Sequence, residues 1–171
     1  MIKTRFNMIL FWGAFLVFFY ACSGTQRNPD FPHHAYYIVS KNSGKCLEVP
    51  DFSFDNNEVL VQNEIKGGLN QQWILQKNGE FYFIKSRLNS KCIDIARGSM
   101  EDKSFMILYD VKGGVNQQWS LQKKGKYFKI ISCLNNKSLD VPGGSKENGV
   151  NIIQFSQNDG DNQLWEFIPV K

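Results

Sequence analysis

Histidine is almost absent from this 171-residue sequence, which contains only His33 and His34. The two are adjacent, and no group of cysteines or carboxylates stands beside them at the spacing of a metal site. Ser-His-Asp catalysis has no histidine available in the rest of the chain. We therefore expect no metal, no cofactor and no catalytic triad.

An excess of charge of one sign is also missing. The chain has 20 Lys and Arg residues against 16 Asp and Glu residues, and the small excess is scattered rather than gathered into a basic stripe. Proteins that bind nucleic acid usually show such a stripe, so we expect no nucleic-acid partner.

Long apolar runs are limited to the N-terminal segment. Residues 1–22 combine a basic start, an uncharged stretch from Met8 to Tyr20 and small residues around Cys22, which are the parts of an export signal. The stretch is shorter than the about 20 residues that a membrane-spanning helix needs. The four residues that end at Cys22 also resemble the lipobox of bacterial lipoproteins, which implies lipidation of Cys22. Cleavage after Ser23 and an uncleaved anchor are the alternatives, and each predicts an exported protein, secreted or membrane-anchored.

The rest of the chain is built from an internal repeat. Trp73, Trp119 and Trp165 each end an Asn-Gln-x-Trp segment and are 46 residues apart. The same offset relates Cys46-Leu47-Glu48-Val49 to Cys92-Ile93-Asp94-Ile95 and Ser138-Leu139-Asp140-Val141. Counting back from the C-terminus gives repeats 34–79, 80–125 and 126–171, preceded by a tether over residues 23–33.

Each repeat has the pattern of strands and turns. Short β-type runs alternate with Ser, Asn and Gly residues, and no window of about 11 or more residues keeps a helical apolar period. We expect about four strands in each repeat and about twelve in total, closed around a threefold axis so that no strand edge stays open. The sequence thus predicts an all-β, pseudo-threefold β-trefoil with the three tryptophans in its core.

The repeated segments resemble those of ricin-type β-trefoil lectin domains over residues 34–171. The chain departs from that family where a second cysteine often pairs with the first, because Ile65, Val111 and Gln157 stand at those positions. Threefold symmetry should also hold the equivalent Cys46 and Cys92 too far apart for a disulfide. We expect these cysteines to be buried thiols.

The resemblance implies a sugar site in each complete repeat. In the family, a carboxylate after the Cys-Leu pair, an aromatic ten residues before the Trp, and the Asn-Gln pair form the site. The second repeat has Asp94, Tyr109, Asn116 and Gln117, and the third has Asp140, Phe155, Asn162 and Gln163. The first has Glu48, Asn63, Asn70 and Gln71. This set lacks the aromatic, so we expect a weak or inactive site.

Structural roles for the same residues remain open at this point. Asp and Asn beside turns commonly bond their own backbone, and Tyr109 and Phe155 alternate with apolar neighbours that favour burial. Two repeats nevertheless keep all the elements, whereas the first has lost the aromatic and the Asp together. This joint loss favours sugar binding by the other two repeats.

The function predicted from these residues is a non-catalytic, monomeric lectin module that binds a glycan or polysaccharide outside the cytoplasm. A glycosidase needs two carboxylates across a cleft, and each predicted pocket has one. The alternative is a β-trefoil scaffold that binds a protein partner or inhibits a protease without binding sugar.

Overall fold

Short strands make up most of the chain in the computed structural model, which describes Phe31 and residues 35–171. The predicted export segment, Cys22 and both histidines lie outside the described residues. No helix within the described part is long and apolar enough to cross a membrane.

The strands and turns follow the repeats. The fourteen strands are β1 (Ala35–Ser40), β2 (Cys46–Glu48), β3 (Glu58–Val59), β4 (Val61–Asn63), β5 (Trp73–Asn78), β6 (Phe81–Ser86), β7 (Cys92–Ile95), β8 (Met106–Tyr109), β9 (Trp119–Lys124), β10 (Tyr127–Ser132), β11 (Ser138–Asp140), β12 (Val150–Asn151), β13 (Ile153–Phe155) and β14 (Trp165–Pro169). Single 3-10 turns occupy Pro50–Phe52, Leu69–Gln71, Ala96–Gly98, Val115–Gln117, Pro142–Gly144 and Asp161–Gln163.

A ring of three backbone hydrogen bonds joins the repeats. The N–H of Leu60 donates to the carbonyl of Met106, Met106 to Ile152, and Ile152 back to Leu60, at 2.9, 2.9 and 2.8 Å. These residues are 46 apart, and Leu60 and Ile152 interrupt the third strand of their repeats. The interruption accounts for fourteen strands where the sequence predicts about twelve. The predicted β-trefoil fold is confirmed.

The three repeated tryptophans are fully buried, as predicted for the core. Each indole N–H donates to a backbone carbonyl in the second strand of its own repeat, so the polar atom is satisfied although the ring is inaccessible. The donors Trp73, Trp119 and Trp165 bond Leu47, Ile93 and Leu139 at 3.0, 3.3 and 3.1 Å. These rings anchor the strands that carry the predicted carboxylates.

Phe31 packs across the first strands of the three repeats, although the repeat count places it in the tether. Its ring centroid lies 5.4, 5.9 and 5.8 Å from those of Tyr36, Tyr82 and Phe128, which are 46 residues apart. A fourth contact, to Phe167, measures 5.1 Å. Phe31 therefore fills the aromatic cluster where the three repeats meet.

Replacing Phe31 by Ala should lower the free energy of unfolding by about 2 kcal/mol. The ring is half-buried, so the cost should fall below the ~3–5 kcal/mol of a fully buried Phe. Chemical denaturation measures the change. The matched control is Phe54→Ala, whose side chain is 61% exposed and should cost less than about 0.5 kcal/mol. Equal stability of the two variants would contradict the packing role of Phe31.

Cys46 and Cys92 are buried free thiols, as predicted. Burial raises the pKa of both to about 12, with a smaller contribution from the carboxylate two residues further along each strand. Neither thiol should therefore react with an alkylating reagent at about pH 8 until the protein unfolds. Mass spectrometry of labelled peptides measures this. Reducing agent should leave the melting temperature unchanged; a large drop would reveal a disulfide, whose loss typically costs about 2–5 kcal/mol.

Candidate functional site

The third repeat places its four predicted residues on a short pair of strands and the turn beside it. Asp140 ends β11 and Phe155 ends β13, and these two strands pair with Ser138 opposite Phe155. The 3-10 turn Asp161–Gln163 is held against β11 because the N–H of Val141 donates to the Asn162 carbonyl at 3.0 Å.

The Asp140 carboxylate is buried and only partly satisfied. Its Oδ2 accepts hydrogen bonds from Asn162 Nδ2 at 3.0 Å and Gln163 Nε2 at 2.8 Å. No side chain or backbone group of the described residues donates to Oδ1. One carboxylate oxygen therefore remains available as an acceptor for a ligand.

A cavity of about 500 Å³ lies in front of this carboxylate, and Asp140, Phe155 and Asn162 all line it. Its floor is the loop at Pro142 and Gly143. Gly143 and Gly144 both have φ of 62°, a left-handed conformation that glycine adopts without strain. Because Gly143 has no side chain, the loop leaves space next to the Asp140 carboxylate.

The second repeat has a similar arrangement. Asp94 Oδ1 accepts from Asn116 Nδ2 at 2.6 Å, and Oδ2 accepts from Gln117 Nε2 at 2.7 Å. Tyr109 ends β8 opposite Cys92 and is half-buried. Each Asp94 oxygen retains one lone pair, because a carboxylate oxygen can accept two hydrogen bonds.

The first repeat differs because an amide stands where the other two repeats have an aromatic ring. Asn63 occupies the aromatic position and donates to Glu48 Oε1 at 2.9 Å, while Gln71 donates to Oε2 at 2.6 Å. Asn70 donates to the carbonyl of Val49 at 2.9 Å and not to Glu48. The floor carries Phe52, at φ 52°, where the third repeat has Gly144. The first repeat thus lacks the aromatic face and carries a bulky side chain at the loop, which agrees with the prediction of weak or no binding.

The Gln of each triplet lies behind the carboxylate rather than facing the cavity. Gln117 is buried, and its Nε2 donates to Asp94 and to the carbonyl of Asp110 at 2.7 and 2.9 Å. Its Oε1 accepts from the N–H groups of Lys112 and Gly113 at 2.8 and 3.1 Å. All four of its hydrogen-bonding positions are occupied. Gln71 and Gln163 are buried in the same way, so these residues position the carboxylates.

The environment raises the pKa of both Asp94 and Asp140. Burial, with a smaller contribution from the charge of Asp102, raises the pKa of Asp140 to about 6, against the opposing effect of its amide donors. Burial also raises the pKa of Asp94. Ionised Asp140 is therefore poorly solvated and gains from hydroxyl donors.

Metal ligation finds no support in the described residues, because no three His, Cys, Asp or Glu side chains are grouped there as ligands. Among the lining side chains that sequence reasoning missed, Lys103 and Phe105 come from the second repeat. They are distant in sequence from the other lining residues, and only the pairing between repeats brings them there.

Comparison with known proteins agrees with this fold. The model of the ricin-type beta-trefoil lectin domain matches residues 34–165. The designed threefold-symmetric protein ThreeFoil is 36% identical, with a TM-score of 0.78, over 80% of this chain and 99% of its own. The exo-beta-1,3-galactanase 1,3Gal43A of Clostridium thermocellum is 38% identical, with a TM-score of 0.78, over 84% of this chain but 31% of the enzyme.

A lectin of known complex shares the fold at lower identity. The Macrolepiota procera ricin B-like lectin, solved with lactose, is 17% identical with a TM-score of 0.72, over 83% of this chain and 99% of the lectin. No curated protein matches the chain.

Proposed function

This chain belongs to the family of ricin-type β-trefoil lectin domains, and we propose that it is a non-catalytic carbohydrate-binding module in which the second and third repeats hold the sugar. The observation that supports this most is the Asp140 carboxylate. It is buried, it has one oxygen that no described residue bonds, and it shares a cavity with an aromatic ring and an amide.

The third-repeat cavity offers the contacts that a sugar needs. Two hydroxyl groups can donate to Asp140 Oδ1, which is a charged acceptor. Both amide hydrogens of Asn162 are engaged, with Asp140 and with the Val141 carbonyl, so this amide orients the carboxylate toward the sugar. The Phe155 ring supplies an apolar face for the sugar's C–H groups.

The carboxylates of the site favour binding over hydrolysis. Glycoside hydrolysis requires two carboxyl groups on either side of the scissile bond, about 5–9.5 Å apart. Among the described residues that line the third-repeat cavity, Asp140 is the one with a carboxyl group. The galactanase matches this chain over a minor part of its length, so its activity is not carried over.

Display outside the cytoplasm is the proposed setting, and the export pattern of residues 1–22 supports it. Lipidation at Cys22 would tie the module to a membrane and leave the short segment 23–30 before Phe31. The module would then act as a monomer whose two sites engage one multivalent glycan surface.

Sugar affinity of the third repeat should fall about tenfold between about pH 7 and pH 5. Protonated Asp140 cannot act as a charged acceptor, and a carboxyl with a pKa of about 6 is only about one-tenth ionised one pH unit below it. The folded protein holds this proton more tightly than the unfolded chain, so the protonation itself favours the fold. Titration calorimetry on a Tyr109→Ala background isolates the third site. Constant or rising affinity as pH falls would contradict the assigned role of Asp140.

A printed glycan array, followed by inhibition with the free sugar, tests the proposed function. We expect the purified protein to bind a defined set of glycans and to be displaced by a simple sugar. Binding to no glycan, together with a stoichiometric protein partner, would instead favour the protein-binding scaffold.

A further inference from the structure

Two side chains of the second repeat, Lys103 and Phe105, reach the third-repeat cavity. The N–H of Lys103 donates to the carbonyl of Gln154 at 2.9 Å, and Phe105 forms a β-bridge with Ile153. Both are therefore fixed alongside β13, the strand that ends at Phe155. Both are also exposed, with Phe105 at 45% although it is a large apolar residue.

The equivalent positions in the other two repeats can be compared with Lys103 and Phe105. Beside the second-repeat site, Asn57 replaces Lys103 and Val59 replaces Phe105; beside the first, the equivalents are Gly149 and Asn151. The backbone is the same in each case, since Asn57, Lys103 and Gly149 have φ of 70°, 69° and 73°. Each N–H also makes the same 2.9 Å bond to the neighbouring repeat.

The fold therefore does not require a lysine or an aromatic at these positions. A left-handed φ favours Gly or Asn, and the other two repeats have those residues. Lys103 is a less favourable choice for the backbone, and Phe105 exposes a ring to solvent. Both choices are explained if the side chains contact a ligand.

The charge of Lys103 is not neutralised within the described residues. No carboxylate there lies within 4.0 Å of its ammonium group, whereas the adjacent Asp102 is paired with Lys137 at 2.5 Å and bonded to Ser156. Asp140 is the other charged group that lines the cavity. Asp140 accepts hydrogen bonds from hydroxyl groups and repels a negative group. An anionic group of a ligand therefore fits only on the Lys103 side of the cavity.

We propose that the third-repeat site accepts an anionic glycan, in which Asp140 holds the hydroxyls of one sugar while Lys103 binds a carboxylate or sulfate on the adjoining sugar and Phe105 packs against that sugar's ring. The inference rests on the proposed sugar binding by this repeat and adds the class of glycan. Among the three sites, this one combines a cation with an exposed aromatic at the neighbouring repeat.

The test compares Lys103→Asn with wild type on an array of neutral glycans printed beside their sulfated and carboxylate-bearing counterparts. Asparagine occupies the same backbone conformation at position 57, so the variant should fold normally. The control Lys146→Asn removes one charge from an exposed residue that does not line the cavity. Asn57→Lys, as the reciprocal variant, places a cation beside the second-repeat site.

We expect Lys103→Asn to weaken binding to charged glycans at least about tenfold, the effect of one lost charge-assisted bond, and to leave neutral glycans unchanged. The sulfated and carboxylate arms identify which anion is bound, and added salt should weaken those arms alone. Equal effects of Lys103→Asn and Lys146→Asn, or a wild type that binds neutral and charged counterparts equally, would overturn the inference while leaving sugar binding intact. A wild type that binds no glycan would overturn the proposed function and this inference with it.

Discussion

Combining Asp140→Asn with Tyr109→Ala should abolish retention of the protein on a glycan resin while the fold survives. Each change removes one site, the first through its charged acceptor and the second through its aromatic face. Loss of a bond to a charged group costs about 1.5–3 kcal/mol, which is about one to two decades of affinity. Each site alone binds weakly, and tight binding to a surface depends on both sites engaging at once. The loss of retention on the resin should therefore exceed the summed losses of affinity for soluble sugar.

The choice of substitution follows from how each carboxylate is bonded. Asp140 accepts both amide donors on Oδ2, so an asparagine can keep that oxygen and place its NH2 group toward the cavity. Asp94 accepts one donor on each oxygen. An asparagine at position 94 would place its own NH2 group opposite the NH2 group of Asn116 or Gln117, which would cost about 1–3 kcal/mol in stability. Tyr109→Ala therefore tests the second site more cleanly than Asp94→Asn.

The matched control for the resin experiment is Glu48→Gln in the first repeat. Glu48 accepts Asn63 and Gln71 on separate oxygens, so the variant should lose stability as Asp94→Asn would. It should still be retained like wild type at temperatures where circular dichroism shows it folded. Loss of retention in Glu48→Gln, with full retention of the double variant, would place the working site in the first repeat.

Replacing Gln117 by Ala should lower the free energy of unfolding by about 3 kcal/mol and also weaken the second sugar site. The change leaves a buried carboxylate oxygen and three backbone groups without their partner, and each buried unsatisfied group costs about 1–3 kcal/mol before relaxation and water entry reduce the sum. Denaturant titration measures the stability, and sugar titration at low temperature measures the site.

The adjacent Gln118 is the control for this prediction. Its Nε2 makes one exposed bond, to the Gly113 carbonyl at 3.1 Å, so Gln118→Ala should cost less than about 1 kcal/mol. A Gln117→Ala protein as stable as Gln118→Ala would show that the buried amide does not hold the site together.

The 46-residue offset was sufficient to predict the fold, because residues that repeat in register must occupy equivalent environments in a closed threefold structure. It correctly placed Trp73, Trp119 and Trp165 in the core and kept Cys46 apart from Cys92. The resemblance to ricin-type repeats, applied to each copy, named the residues that the structure gathers around Asp94 and Asp140. These predictions need only one repeat at a time.

Contacts that depend on side-chain direction or on two repeats together could not be predicted in this way. The sequence shows that Asn63 lacks a ring, but not that its amide bonds Glu48. It also does not show that Lys103 and Phe105 lie beside β13. Phe31 lies before the first repeat, so the repeat pattern does not predict its contacts with Tyr36 and Phe128.

Two sugar sites per chain, in the second and third repeats, are the central claim, and NMR of the side-chain amides of Asn70, Asn116 and Asn162 tests it most directly. During titration with the simple sugar that inhibits array binding, we predict that the Nδ2 signals of Asn116 and Asn162 shift while that of Asn70 does not. Asn116 and Asn162 bond carboxylates that face ligand, whereas Asn70 bonds the Val49 carbonyl. A shift of Asn70 alone, or of none of the three while sugar binds, would contradict the account.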